Sequence, residues 1–283
     1  MSEGSPLRLD AVPGAEPLVV SMPHTGVDLP EEILPRLTSD WLARKDTDWH
    51  IEHLYDFATA LGATVIRTSV SRTVIDVNRD PTGESLYPGL ATTELCPTTT
   101  FDGEPLYRPG CEPRSQEIAS RRAKWFDPYH ACLSQEIARL RRSYEHVVVY
   151  DCHSIRSVIS RLFDGDLPAF NIGTDSGRSC DPRLTAAVEG EVSTTGLSRV
   201  TNGRFRGGYI TRHHGRPAEG VHAIQMELAI RGYLREPIGP VGAVKETNWP
   251  PAYDPEFAGP MKTAVRRVLE ACLHFAHSLR TAS

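Results

Sequence analysis

Two histidines stand at the ends of apolar runs, and that placement could bring both to one site. His153 lies in the tetrad Asp151-Cys152-His153-Ser154 after the run 147–150, and His24 follows the run Leu18–Met22. A continuous β-branched run is typical of a buried, parallel strand. Ligands of open α/β sheets bind just beyond the carboxyl ends of such strands. We therefore expect His24 and His153 to meet at one edge of a sheet, where they could bind a metal or a substrate.

A carboxylate between these histidines could complete a metal site. Zinc prefers imidazole and carboxylate ligands, and its catalytic sites keep one open position. Asp46 and Asp48 are both candidates, but Asp48 also stands where a helix cap is expected. His50 and His53 share one face of the helix that follows, at a spacing of three residues, and are further candidates.

Glu227 is an acid among apolar residues near the end of the predicted strand 221–228. Burial raises the pKa of a carboxyl group, and a raised pKa suits a general base that takes a proton from an attacking water. A salt bridge at the end of the strand is the alternative interpretation.

Arginines and an asparagine indicate an anionic substrate. Arg72, Asn78 and Arg79 flank the predicted strand 73–77, and arginine binds a carboxylate through two parallel hydrogen bonds. The alternative is a surface turn, because Asn-Arg-Asp-Pro is common in turns. The basic, glycine-rich segment 203–217 could bind a second carboxylate or could be a solvated loop. Its candidates for substrate binding are Arg204, His213 and Arg216.

Composition limits the class of protein. The 283 residues are 40% hydrophobic and 24% charged, with a formal net charge of −5. These values describe an ordinary globular chain, and the net negative charge argues against nucleic acid as the main partner. No run of 18 apolar residues predicts a membrane span, and the first 20 residues do not resemble a signal peptide. Six cysteines without a C-x-x-C pair predict reduced thiols and a cytoplasmic location.

Strand and helix patterns alternate, which predicts a single α/β domain with a mainly parallel or mixed sheet flanked by helices. We expect a flexible arm over residues 1–16 and the hydrolytic domain over 17–283. The long segment 80–113 has no clear period and predicts a lid or binding loop. The predicted strands are 18–22, 63–68, 73–77, 147–150, 170–172, 208–211 and 221–228. The predicted helices are a short stretch around 39–42, then 49–61, 115–143 with a restart at Asp127-Pro128, 182–195 and 260–278.

Taken together, these segments resemble the N-formylglutamate amidohydrolase family. The resemblance runs from residue 18 to about 235, and the segments are specific jointly rather than singly. The matching stretches are 21–26, 46–50, 71–81, 151–154, 202–213 and 225–228. The family is similar to zinc carboxypeptidases and aspartoacylases, and that likeness implies the same carboxypeptidase-like α/β fold.

The resemblance implies roles for individual residues. In these relatives two histidines and an acid hold one zinc ion, a glutamate late in the chain is the base, and an Asp-x-Asn-Arg segment binds the substrate carboxylate. A nearby arginine polarises the carbonyl. Carried over, the metal ligands are His24, His153 and an acid, and the remaining roles fall on Glu227, Asn78, Arg79 and Arg72. The relatives place the acid three residues after the first histidine, where this chain has Val27, so Asp48 or Asp46 must serve, and we favour Asp48.

The implied reaction is the zinc-dependent hydrolysis of N-formyl-L-glutamate, a small anionic substrate, to formate and L-glutamate in histidine degradation. Another divalent metal could replace zinc. One alternative is a deacylase or carboxypeptidase-like amidohydrolase for a different N-acyl amino acid. A second is a two-manganese formiminoglutamase, but the expected Asp-x-His-x-Asp segment has Ile155 in place of its second acid. A third is a protein that binds small acids without hydrolysing them.

Overall fold

The apolar runs that lead to His24 and His153 form neighbouring strands. The computed structural model of the protein describes residues 9–237, 239 and 243–278. Its strands are β1 (Leu9–Val12), β2 (Leu18–Met22), β3 (Thr64–Thr68), β4 (Val147–Ile155), β5 (Phe170–Gly173), β6 (Arg199–Thr201) and β7 (Val221–Ala229). They form one seven-stranded sheet in the order β1-β3-β2-β4-β7-β5-β6.

The centre of this sheet is parallel and its flanks are mixed. Strands β3, β2, β4 and β7 run parallel to one another, whereas β1 is antiparallel to β3 and β5 is antiparallel to β7. The carboxyl ends of the four central strands therefore meet at one edge, which is where a ligand is expected. The predicted α/β fold with a mixed central sheet is confirmed.

The two longest strands are buried on both faces. Every residue of β4 and β7 is buried. Side chains alternate along a strand, so Val148 and Tyr150 pack into one apolar core while Val147 and Val149 pack into the other. Burial of both faces explains the continuous apolar run 147–150 with which β4 begins.

Helices supply the two cores on either side of the sheet. Helices α5 and α7 pack together on one face, and α4 covers the other face. The helices are α1 (Leu42–Lys45), α2 (Ile51–Leu54), α3 (Ser115–Arg121), α4 (Asp127–Arg141), α5 (Pro182–Ser193), α6 (Tyr209–His214) and α7 (Pro255–Ser278). Over the described residues, none of the helices is long and apolar enough to span a membrane.

Most long elements lie where the sequence predicts them. The strands predicted at 18–22, 63–68, 170–172 and 221–228 and the helices predicted at 182–195 and 260–278 are present with small shifts of their ends. The helical region 115–143 contains a π-helical turn at Arg122–Phe126 and restarts at Asp127, as its Asp-Pro pair predicts. Strand β4 is longer than predicted, and His153 lies inside it rather than after it.

Two predicted strands are wrong. Residues 73–77 form turns, but Val74, Ile75 and Val77 are buried all the same, so an apolar pattern arose without a strand. Residues 208–211 contribute to helix α6. The amide of Gly208 donates to the side chain of Gln225, and that contact comes from a distant part of the chain, which a local pattern does not reveal.

The arm and the segment around residue 50 also differ from expectation. Leu9–Val12 pairs antiparallel with β3 at the edge of the sheet, so this part of the predicted arm is ordered by backbone pairing. Residues 1–8 lie outside the described residues. The helix predicted at 49–61 is divided into α2 and a 3₁₀ turn at Asp56–Leu61, and it ends at Gly62 with a left-handed φ of 77°, as predicted. Residues 80–113 form no helix or strand.

Candidate metal and catalytic centre

The structure brings together the three side chains that the sequence suggested as metal ligands. His24 follows β2, Asp48 precedes α2, and His153 lies in β4. Each offers one ligand atom, and these atoms all lie within 4.8 Å of one another. All three residues are 2% exposed or less. The group is therefore shielded from solvent.

His24 presents one ring nitrogen to the centre of this group. Its Nε2 lies 2.7 Å from Oδ1 of Asp76, which as a carboxylate oxygen accepts the proton of that nitrogen. Its Nδ1 therefore carries a lone pair, and no hydrogen-bond partner for it is found among the described residues. The nearest carboxylate atom to Nδ1 is Oδ2 of Asp48, at 3.7 Å.

His153 is oriented in the same way by a second carboxylate. Its Nε2 lies 2.9 Å from Oδ2 of Asp151, and its Nδ1 lies 3.2 Å from Oδ2 of Asp48. Burial alone would lower the pKa of His153, but Asp151 and Asp48 raise it well above the ordinary value. A protonated His153 thus supplies positive charge at the place where a metal cation would supply it.

Asp48 is positioned by the backbone and does not cap a helix with its side chain. Its amide donates to the carbonyl of His24, and its Oδ2 accepts from the amide of Ser154. Burial opposes ionisation, but the hydrogen bond from His153 and the nearby imidazoles of His153 and His24 lower the pKa of Asp48. Its Oδ1 has no hydrogen-bond partner within the described ranges. The carboxylate is charged and one of its oxygens remains available.

The donor set of this group fits a zinc ion. Two imidazole nitrogens and a carboxylate oxygen are zinc ligands, and the unpartnered Nδ1 of His24 and Oδ1 of Asp48 are buried atoms that a cation would satisfy. Histidines that bind metals commonly donate their other ring nitrogen to a carboxylate, as both do here. Asp46 lies elsewhere, accepting from the amide of Phe101 and pairing with Arg156, so the geometry favours Asp48 over Asp46.

Glu227 lies beside the same group. It is the register partner of His153 in the parallel pair β4–β7, and it lines the cleft that also contains His24. Burial raises the pKa of Glu227 to about 7. Gln225, two residues earlier on the same face of β7, donates to its carboxylate at 3.2 Å. Glu227 is thus a buried acid with one fixed oxygen, facing the candidate metal ligands.

Arg72 lines the cleft next to the histidines. Its Nη2 pairs with Asp76 at 2.7 Å, and its Nη1 lies 3.7 Å from Asp48. The guanidinium also packs over the ring of Phe101 at 4.7 Å. These contacts fix the plane of the guanidinium while it faces the cleft.

Two further arginines line the cleft. Arg79 donates to the backbone and side-chain oxygens of Thr93. Arg204 donates to the carbonyls of Ala91 and Leu162, and in the described part of the chain it forms no ion pair. Burial lowers the pKa of Arg204, and the nearby charge of Arg79 lowers it further. A bound anion would relieve this excess of positive charge.

Asn78 lines the cleft, but its amide is already engaged by the protein. Its Nδ2 donates to Asp151 at 3.2 Å and lies 2.9 Å from Nε2 of His153, while its Oδ1 accepts from the amide of Ile210. A Cβ at Gly208 would lie 2.4 Å from Nδ2, so only glycine permits this approach. In this structure Asn78 holds His153 and Asp151 in place, and its contact with substrate stays a prediction.

Two residues predicted to bind substrate do not reach the cleft. His213 is exposed and stacks on Tyr209, which lies four residues earlier on the same face of α6. The side chain of Arg216 is 53% exposed and lies 3.5 Å from Glu219. Neither side chain lines the cleft in this structure, which therefore does not support the role predicted for them from the sequence; Arg204 does line it.

Several residues of the site escaped the sequence interpretation. Asp76 and Asp151 orient the histidines, and Gln225 holds Glu227. The Asp-x-His spacing at 151–153 could have indicated one of these partners. Tyr87, Phe101 and Phe205 also line the cleft, but they lie in irregular segments, where no periodicity marks a residue that faces a site.

Comparison with known proteins places this geometry in a family. The family model described as N-formylglutamate amidohydrolase matches residues 16–234. The chain belongs to the N-formylglutamate amidohydrolase family. The match includes every side chain of the candidate metal group and Glu227.

Curated relatives agree with this assignment. The N-formylglutamate deformylase of Pseudomonas putida is 43% identical over 261 residues, which cover 92% of this chain and 93% of that protein. The N-formylglutamate deformylase of Pseudomonas aeruginosa is also 43% identical, over 92% of this chain and 94% of its own length.

Solved structures share the fold. A crystal structure of N-formylglutamate amidohydrolase from Ralstonia eutropha JMP134 superposes with a TM-score of 0.75 at 23% identity, covering 97% of this chain and 99% of that one. A gene product of Agrobacterium tumefaciens superposes with a TM-score of 0.66 at 17% identity, covering 95% of this chain and 94% of that one. At these identities the likeness concerns the fold alone.

Proposed function

We propose that this protein hydrolyses N-formyl-L-glutamate to formate and L-glutamate with one zinc ion held by His24, Asp48 and His153. The observation that carries the proposal is the pairing of Glu227 with His153 across neighbouring strands, in a cleft lined by arginines. The substrate comes from the names of the two Pseudomonas relatives. Histidine degradation is the route that the family resemblance implies, and the six free cysteines fit a cytoplasmic location.

Hydrolysis would need both a Lewis acid, which zinc would supply, and a proton acceptor, which would be Glu227. A zinc ion supplies Lewis-acid chemistry to the formyl carbonyl and to the attacking water. The carboxylate of Glu227 takes a proton from that water as the water oxygen bonds to the formyl carbon. When the carbon–nitrogen bond breaks, Glu227 returns the proton to the departing amine. The pKa of Glu227, raised by burial to about 7, suits both transfers near neutral pH.

Arg72 would stabilise the oxyanion that forms on the formyl oxygen. Its Nη2 is held by Asp76, so the guanidinium need not reorganise as charge develops. Donors that are fixed before the reaction contribute most to such stabilisation. Phe101 covers the guanidinium and limits the access of water to it.

The remaining arginines would select a substrate with two carboxylates. Arg204 has no acidic partner in the described structure, and Arg79 shares Asp76 with Arg72, at 3.6 Å and 2.7 Å respectively. The cleft therefore has more positive than negative charge beyond the metal group. We assign Arg79 to one carboxylate of N-formylglutamate and Arg204 to the other. A substrate held at both ends leaves its formamide in the middle, next to Glu227.

A deacylase for a more apolar N-acyl amino acid is the second candidate. Apolar side chains share the lining of the cleft with the arginines, and they could accept a longer acyl chain or an apolar side chain. They are Phe101, Ile155, Leu162 and Phe205.

Metal analysis combined with a substrate panel tests both candidates. Zinc content is measured by mass spectrometry on the protein used for the assay. Product release is measured from N-formyl-L-glutamate, N-formyl-L-methionine and N-acetyl-L-glutamate. We expect zinc at His24, Asp48 and His153 and the highest kcat/KM on N-formyl-L-glutamate. Faster turnover of either other compound would favour the second candidate, and no turnover of any substrate with zinc restored would contradict the proposed hydrolysis.

A further inference from the structure

A second cluster of potential metal ligands lies at the surface, at the start of helix α2. His50, Glu52 and His53 each offer one ligand atom, and the three atoms lie within 4.8 Å of one another. The side chains of His53 and Glu52 are 57% and 31% exposed, whereas the group around His24 is buried. We propose that His50, Glu52 and His53 form a second site for a divalent transition-metal ion of the zinc class.

The tautomer of His50 prepares it as a ligand. Its Nε2 lies 3.1 Å from the carbonyl oxygen of Pro251. A carbonyl can only accept, so this nitrogen carries the proton and Nδ1 keeps its lone pair. Histidines that bind metals commonly use their second nitrogen in this way. The bond to Pro251 also fixes the orientation of the ring before any ion arrives.

The backbone brings His53 to the same place. Residues three apart lie on one face of a helical turn, and the amide of His53 donates to the carbonyl of His50 at 3.1 Å. The two imidazole rings are stacked with their centroids 5.8 Å apart. Tyr253 packs against both rings, at 5.7 Å and 5.4 Å. A small rotation of the exposed His53 ring can complete a site around a preset His50.

His50 also has an unusual backbone conformation. Its φ of 63° is left-handed, which is uncommon for a residue with a side chain. Helix α2 begins at the next residue, Ile51, and the ring of His50 contacts the carbonyl of Pro251. The two clusters share no ligand residue, although Asp48 and His50 are only two positions apart in sequence.

The charges around the cluster favour a cation. Glu52 contributes one negative charge, with Oε1 at 3.8 Å from Nε2 of His53. The neighbouring ammonium of Lys262 is engaged by Asp56 at 2.6 Å and by the carbonyl of His53 at 3.2 Å. Two imidazoles and one carboxylate are a zinc-type set. Because the site is open to solvent, water would complete the coordination, and binding should be weaker than at the buried group.

Calorimetric titration of the zinc-loaded protein with zinc chloride tests this inference. The protein is first freed of loosely bound metal, so that heat reports only additional binding. We expect the wild-type protein to bind one further ion, and we expect His53→Ala and Glu52→Gln each to weaken that binding roughly tenfold or more. His274→Ala is the matched control, because it removes an exposed histidine far from the cluster in sequence, and it should leave binding unchanged.

The outcome is independent of the proposed hydrolysis. None of the substituted residues lines the cleft, so formate release should persist in all three variants. Second-site binding that is equal in the wild-type protein, His53→Ala and Glu52→Gln would overturn the inference. So would the absence of any additional zinc binding to the wild-type protein, whatever its activity.

Discussion

Two buried pairs of histidines each contact the segment 77–78, and their surroundings differ. His24 and His153 have ring centroids 4.8 Å apart, and Asn78 contacts His153 from one side. His130 and His214 stack at 5.4 Å, and His130 donates from Nε2 to the carbonyl of Val77. The same short segment thus supports both pairs.

The two pairs differ in the number of carboxylates around them. Three carboxylates surround the first pair, namely those of Asp48, Asp76 and Asp151. In the second pair the described hydrogen-bond partners are a carbonyl and the other imidazole. Burial lowers the pKa of His130 to about 4 and that of His214 to about 2, whereas Asp151 and Asp48 raise the pKa of His153.

Burial of a histidine pair therefore does not by itself indicate a metal site. The neutral pair stabilises the fold by hydrogen bonds, whereas the acid-rich pair is built to hold positive charge. A cation can replace the proton of His153 without leaving the carboxylates unpaired. If this distinction is right, substitutions around His24 and His153 should affect metal binding and catalysis, whereas substitutions of His130 and His214 should affect the stability of the fold.

The largest effect on kcat should come from substitution of Glu227, the acid beside His24 and His153. Glu227→Gln keeps the shape of the side chain but cannot accept a proton, so kcat should fall by roughly 10²–10⁴-fold. Zinc content and substrate binding should be retained. Steady-state kinetics with metal analysis provides the measurement, and a near-normal kcat would assign the proton transfer to another group.

The second largest effect should be on KM, and it should distinguish an arginine that lines the cleft from one that does not. Arg79→Ala should raise KM for N-formyl-L-glutamate roughly 30- to 150-fold, because charged hydrogen bonds to the substrate are lost. This change corresponds to about 2–3 kcal/mol of binding free energy. Arg216→Ala is the matched control, since its side chain is exposed, and it should change KM by less than about 0.5 kcal/mol. Equal KM values for the two variants would remove Arg79 from the substrate site.

The acids that orient the histidines should affect metal affinity. Asp151→Asn keeps an oxygen near Nε2 of His153 but removes the charge, so zinc should bind roughly 10- to 100-fold more weakly. The measurement is competition with a chromophoric chelator, and Asp164→Asn, at an exposed position, is the control. Unchanged affinity would show that the carboxylate is not needed to hold the ligand.

The neutral pair should instead govern stability in acid. Because the pKa of His130 in the folded protein, about 4, is below its unfolded value, unfolding takes up a proton between these values. Its contribution to stability is present above pH 6.5 and is lost as the pH falls toward 4, by roughly 2 kcal/mol at pH 5. His130→Gln should lose less stability over this range in denaturant titrations. An identical pH dependence would contradict the account.

The sequence patterns predict that His24 and His153 meet, because each belongs to or follows an apolar strand. The structure brings them together because these strands, β2 and β4, are neighbours. The sequence alone does not separate Asp48 from Asp46, because it does not show that Phe101 and Arg156 engage Asp46. The sequence singles out Glu227 because an acid among apolar strand residues is unusual, and the structure places it in the same cleft as His24 and His153; its role as the base stays a prediction.

Contacts between distant segments could not be predicted in this way. The amide of Asn78 is used by Asp151 and Ile210, although Asn-Arg suggested a free anion-binding pair. His213 was assigned to the substrate because its basic neighbours looked like a clamp, whereas α6 turns it toward Tyr209. The strand predicted at 73–77 is wrong because residues that are buried in turns give the same apolar sequence pattern as residues of a buried strand.

The most direct test of the central claim is the zinc content of two histidine variants after dialysis against a weak chelator that removes surface-bound metal. His153→Ala removes a member of the acid-rich pair, and His214→Gln removes a member of the neutral pair; circular dichroism confirms that both are folded. We expect His153→Ala to lose its tightly bound zinc together with formate release, and His214→Gln to keep both. Full zinc occupancy in folded His153→Ala would contradict the assignment of His24, Asp48 and His153 as the metal site.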